Sequence, residues 1–172
     1  MSAERSAGRD PLLDALGAVL EGVTFYDLAQ RAVADTRVKV TFEELGRSKR
    51  DQLARLEASA GPTAKDAARP PGIFPLDVVS KVECYVCGYA VDTALMPTAC
   101  PSCGAARYSF EKEIALSKAW EIAGAGARKS SDLFRTLAGK ASGPSKPLLE
   151  ALAREEDGTA AQADLHVAEL RT

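Results

Sequence analysis

Hydrophobic positions along the chain repeat mainly at helical spacing. Asp10-Pro11 reads as an N-cap followed by proline in the first helical turn. Leu12, Leu16, Val19, Val23 and Tyr26 then fall on one helical face, with Gln30 as its polar exception, and predict a helix over about 11–34. Asp35 caps a second helix, whose inward stripe runs through Val38, Phe42, Leu45, Lys49, Gln52 and Leu56. A link this short makes the two helices an antiparallel hairpin. From Glu111 the helical period returns: Leu116, Trp120, Ala123, Ala127, Phe134 and Leu137 predict a long third helix, softened in its middle by Gly124 and Gly126. The run AGKASGPS ends it. Ser145 and Pro147 begin a fourth helix with the stripe Leu149, Leu152, Glu156, Thr159, Ala163, His166 and Leu170.

Between the two helical pairs the period disappears. Residues 59–75, SAGPTAKDAARPPGIFP, hold Pro62, Pro70, Pro71 and Pro75 and read as a linker, extended at Pro70-Pro71. Val78 to Cys84 is a short β-like run leading into a cysteine cluster. The chain thus divides into a helical hairpin over 1–60, a Pro-rich linker over 61–77, a cysteine module over 78–111 and a second hairpin over 112–172. The hairpins look like copies of one another: FYDLAQRA (25–32) answers LFRTLAGK (133–140), and FEELGRSK (42–49) answers LEALAREE (149–156). Two similar hairpins suggest one mainly α fold, a four-helix bundle with the small β module inserted between helices two and three. The alternative is a pair of unrelated hairpins that dock on other chains. Closed on itself the bundle makes a monomer, and exchanged between chains it makes a homodimer.

Composition narrows the function. Lys and Arg number 22 against 24 Asp and Glu, and neither half of the chain is polarised. Nucleic-acid and membrane-surface binding both need clustered positive charge, so neither partner is expected. No apolar run reaches the ~20 residues that span a bilayer. Met1–Pro11 has no apolar h-region, which points to a cytoplasmic protein rather than a secreted one.

All four cysteines lie in two C-x-x-C pairs, Cys84-Tyr-Val-Cys87 and Cys100-Pro-Ser-Cys103, each followed by a glycine, Gly88 and Gly104. Each pair turns two sulfurs toward one point, and four thiolates satisfy tetrahedral iron or zinc. Disulfides or free thiols are the competing reading, which a cytosolic setting disfavours. The cysteines are then committed to metal, and no Ser/His/Asp or Cys/His catalytic set remains. The AGAGA run at 123–127 does not follow a strand and is no dinucleotide loop; its small residues suit close helix packing.

CYVCGY, the gap to CPSCGA, Tyr89 and Pro101, and the following Tyr108 and Phe110 resemble the rubredoxin-like domain of rubrerythrins over about residues 82–112. GVTFYDLAQRA and TFEELGRSKRDQLARLE are similar to the ferritin-like hairpin of the same family. The resemblance implies one iron on the four cysteines, carrying single electrons to or from a partner protein; zinc, which shares the framework, implies a structural ribbon on a non-redox scaffold that binds another protein. In the family, a Glu seven residues before the tyrosine and a Glu-x-x-His on the next helix recur in each hairpin to build a di-iron site. Here those positions hold Val19, Lys49, Gln52, Ala127, Glu156 and Thr159. One carboxylate survives and both histidines are gone, so no di-iron ligand set and no independent catalytic activity is implied.

A lysine on an inward stripe is costly unless paired. Lys49 and Glu156 are therefore expected to form a buried ion pair, helped by Gln52, Thr159 and Tyr26; the competing reading has Lys49 snorkel to solvent. Glu21, Glu43, Glu44, Glu150 and Glu155 fall mostly off the stripes and read as solvated. His166 reads as a core or surface histidine and not a ligand.

Overall fold

The protein is described by a computed structural model over residues 8–92, 97–106 and 112–172. It is mainly helical: α1 (Pro11–Ala32), α2 (Thr36–Ala60), the short α3 (Ala64–Ala67) and α4 (Leu76–Ser80), then β1 (Lys81–Glu83), β2 (Ala90–Asp92), α5 (Leu116–Lys140) and α6 (Ser145–Leu170). Asp10 and Asp35 cap as their positions predict, accepting from the N–H of Leu12 and Arg37. Among the described residues no helix is long and apolar enough to cross a membrane.

Helices α1 and α2 lie antiparallel, as do α5 and α6. Gly124 faces Ala163, and further along the pair the Ser131 hydroxyl donates to the Ala153 carbonyl and to Asp157. One cluster of buried residues draws on all four long helices, including Leu16, Leu56, Phe134 and Leu152. A second, nearer the β strands, holds Phe25, Tyr26, Phe42, Trp120 and Ala163. Along the helices a small and polar layer separates these clusters: Gly22, Lys49, Gln52, Gly126, Ala127, Ser130 and Glu156 are all buried.

Several expectations change. The first helix ends at Ala32 and the third begins at Leu116; Glu111, from which the third helix was expected to run, lies outside the described residues, together with Tyr108 and Phe110. As expected of one long helix, α5 runs unbroken through Gly124 and Gly126. Val78 and Val79 belong to α4, not to a strand, and the strand begins at Lys81, opposite Asp92. The proline-rich segment is no free linker, since it lies as a strap along α1. A Cβ at Gly17 would stand 2.0 Å from the Arg69 carbonyl oxygen, so only glycine lets the strap approach this closely. Glu21, expected in solvent, is 3% exposed and accepts from the backbone N–H of Gly72 (2.8 Å) and Phe74 (2.6 Å). These bonds replace its lost hydration. They also seat Phe74 in a slot where Gly22 and Gly126 leave room for its ring.

Candidate metal centre and buried polar layer

β1 and β2 pair antiparallel, Val82 opposite Val91, and carry the first C-x-x-C turn between them. In that turn the Gly88 N–H donates to the Cys84 carbonyl (2.8 Å) and the Cys84 N–H to the Tyr89 carbonyl (2.9 Å). The second turn repeats the pattern: Gly104 N–H to Cys100 carbonyl (2.9 Å) and Cys100 N–H to Ala105 carbonyl (2.8 Å). Gly88 and Gly104 take φ of 74° and 75°, the left-handed conformation that favours glycine. Two copies of one turn therefore face each other.

All four Sγ atoms lie within 4.8 Å of one another, with Cys84–Cys103 at 3.8 Å and Cys87–Cys100 at 3.6 Å. Sulfurs around a tetrahedral ion with bonds of about 2.3 Å stand about 3.8 Å apart, so the set fits one metal ion. The same spacing is far beyond a disulfide bond of about 2.0 Å. Cys84 and Cys100 are buried, while Cys87 and Cys103 face solvent.

The thiols themselves are unequal. Burial pushes Cys100 up, but the backbone N–H groups of Cys103 and Ser102 and the thiols of Cys87 and Cys103 outweigh it and bring it down to about 7. At Cys103 the Ala105 N–H lowers the thiol, yet desolvation and the three neighbouring sulfurs raise it to about 12. Four sulfurs held this closely cannot all ionise without a cation among them.

Of the six positions singled out in the sequence, Lys49, Gln52, Ala127 and Glu156 lie in the polar layer, while Val19 belongs to the first apolar cluster. Lys49 Nζ donates to Glu156 Oε1 at 2.6 Å and to Gln52 Oε1 at 3.4 Å, and Gln52 Nε2 donates to the same Glu156 oxygen at 2.6 Å. Lys49 is 5% exposed and Glu156 2%, so the lysine does not snorkel out. Val19 and Ala127 are buried without polar groups to offer. Thr159 does not join the pair, because its hydroxyl donates to the Glu155 carbonyl of its own helix. Tyr26 is buried but makes no hydrogen bond to the pair; its phenol is raised first by desolvation and then by the Glu156 charge, which keeps it protonated.

The layer also has members that the hydrophobic stripe did not reveal. Glu155, read as solvated, is about two-fifths exposed; it takes a two-pronged bond from Arg55 (2.7 and 2.6 Å) and a longer one from Gln52 (3.5 Å). Phe74 lies beneath Lys49, with the ammonium 5.7 Å from the ring centre. Ser130 Oγ and Glu156 Oε2 are buried without a hydrogen-bond partner among the described residues. Nothing in the sequence around Ser130, flanked by Arg128, Lys129 and Asp132, marked it as buried. His166 is half-buried, stacked on Trp120 at 4.3 Å and paired with Glu169, well away from the cysteines in role and partners.

Comparison with protein-family models, curated protein sequences and solved structures finds no match to this chain.

Proposed function

We propose that this chain is a rubrerythrin-like protein whose four-cysteine centre holds one iron and passes single electrons to or from a protein partner. In this reading the four long helices form a ferritin-like bundle that has lost its di-iron site. The observation that carries it is the sulfur set, two matching turns that bring four Sγ atoms to tetrahedral spacing. An iron bound there supplies a one-electron couple and needs no open coordination position. The chain's part is to hold the sulfurs, donate backbone N–H groups toward them and leave Cys87 and Cys103 at the surface, where a partner can approach closely.

The bundle contributes no second redox site in this reading. The Lys49 ammonium occupies the polar layer, and a cation there would repel any metal brought beside it. The electron partner must therefore lie on another molecule.

Elemental analysis of the purified protein beside Cys84→Ser and Cys100→Ser variants tests the assignment. One iron per wild-type chain, lost in both variants, supports it. One zinc instead favours the structural ribbon on a non-redox scaffold, since four thiolates suit both ions. Metal retained in the variants removes the cysteines from the account.

A further inference from the structure

The cysteine centre and the helical core are joined without slack. Phe74 is followed by Pro75, then α4, then directly by β1, which runs into Cys84. Each part of this strut is anchored. Phe74 is 5% exposed, stacks on Phe25 (5.4 Å) and meets Tyr26 edge-on (5.6 Å). Val79 of α4 is buried in the same cluster as Phe25, Phe42 and Trp120. Val82 of β1 packs with Cys84 and Cys100. The returning chain is tied to the same end of the helical body: the Lys112 N–H donates to the Ala32 carbonyl (2.5 Å), the Ala34 N–H to the Lys112 carbonyl (3.2 Å), and Lys112 Nζ to the Val78 carbonyl of α4.

The module's packing is built around its cysteines. Among the described residues its buried cluster is Val82, Cys84 and Cys100, with Val91 and Ala105 packed against it, so two of the three buried members are cysteines of the metal set. Where buried residues are themselves metal ligands, metal binding contributes folding free energy. Loss of the metal should therefore loosen β1, and with it the strut. The seat of Phe74 offers a discrete alternative: the ring is either in the slot between Gly22 and Gly126, with Glu21 clasping the strap, or out of it.

We propose that the strut from Phe74 to β1 couples metal occupancy at the four cysteines to the packing of the helical core, so that binding a metal seats Phe74 and losing it releases Phe74. Coupling is reciprocal, so the seat must in turn strengthen metal binding. The inference rests on metal binding by the cysteines but not on electron transfer, and it holds for zinc as for iron.

The chain's one tryptophan supplies the readout, because Trp120 belongs to the cluster that contains Phe74 and Val79. The full-length protein is stripped with a chelator and titrated with zinc against a competing chelator, while Trp120 emission is followed. In the wild type, emission should shift on stripping and return with zinc. Phe74→Ala empties the seat. Gly126→Ala crowds it from the other side, because the new Cβ would stand 2.5 Å from Phe74 Cε1. Both variants should bind zinc about ten-fold more weakly, a common size for such coupling, and their emission should no longer follow the metal. Their cobalt-loaded absorption spectra should match the wild type, because the ligands are untouched. If Phe74→Ala does not fold, Gly126→Ala and Glu21→Gln carry the same comparison. Equal zinc affinity in wild type and variants, or wild-type emission that ignores the metal, overturns the coupling. Failure of the wild type to bind zinc or cobalt at all overturns the metal-binding reading and the coupling with it.

Discussion

Lys49 of α2 and Glu156 of α6 are far apart in sequence, yet their side chains meet in the buried layer at 2.6 Å. Taken singly, either charge would be prohibitive there. Together, with Gln52 donating to the same carboxylate oxygen, they form a neutral polar unit between two apolar clusters. A buried pair of this kind is a weak source of net stability, but its halves depend heavily on each other.

That dependence is measurable. Lys49→Met or Glu156→Leu alone leaves an uncompensated buried charge and should cost about 3–5 kcal/mol. The double variant should recover most of the loss, because two apolar side chains then fill the layer. Urea unfolding of the four proteins gives the coupling; single variants as stable as the wild type would refute the pairing.

The strap along α1 makes opposite predictions for two helical glycines. Gly17→Ala forces a methyl group into the Arg69 carbonyl and should destabilise by about 1–3 kcal/mol. Gly158→Ala in α6 meets nothing within 4 Å and should stabilise by about 1 kcal/mol through helix propensity. Thermal unfolding separates the two, and a Gly17→Ala protein as stable as the wild type would mean that the strap does not lie on α1.

Asp35 caps α2 while its side chain takes bonds from Arg37, and these, together with the Arg37 backbone N–H, hold its carboxyl at about 2 rather than 3.8. A carboxyl lowered by folding contributes fully above its ordinary value and loses that contribution as pH falls toward the lowered one. The start of α2 should therefore loosen between those two values. Arg37→Ala should raise the Asp35 titration toward 3.8, read by carboxyl carbon NMR; an unchanged titration would remove the Arg37 side chain as the cause.

Exposed thiols normally react. Cys87 and Cys103 are exposed, yet in a metal-loaded centre all four sulfurs are ligands and should resist alkylation. Chelation should make four thiols per chain reactive. Two reactive thiols in the loaded protein would mean that the exposed pair is not coordinated.

Much of this was legible in the sequence, for specific reasons. Two C-x-x-C-Gly turns announce a cluster of four sulfurs, because the spacing within each turn aims two sulfurs to one side. The inward stripe of α2 was readable through its polar members, since the apolar residues on either side fix the phase at Lys49 and Gln52. The same logic misplaced Thr159. Four residues beyond Glu156, Ala160 turns inward, and Thr159, three residues beyond, is left at the edge of the face. Docking of the strap was not legible. A carboxylate that binds two backbone N–H groups of a distant segment looks the same in sequence as one in water, and Gly17, Gly22 and Gly126 announce flexibility as readily as close approach. The side chains of Phe74 and Glu21 acquire meaning only from each other's position.

The most direct test of the central claim is the visible spectrum of freshly purified protein through a cycle of reduction and reoxidation, with elemental analysis of the same sample. The account predicts a red protein with one iron for every four cysteines, bleached by the reductant and restored in air. A colourless protein holding one zinc, unchanged by the cycle, would contradict electron transfer and leave the cysteine centre a structural one.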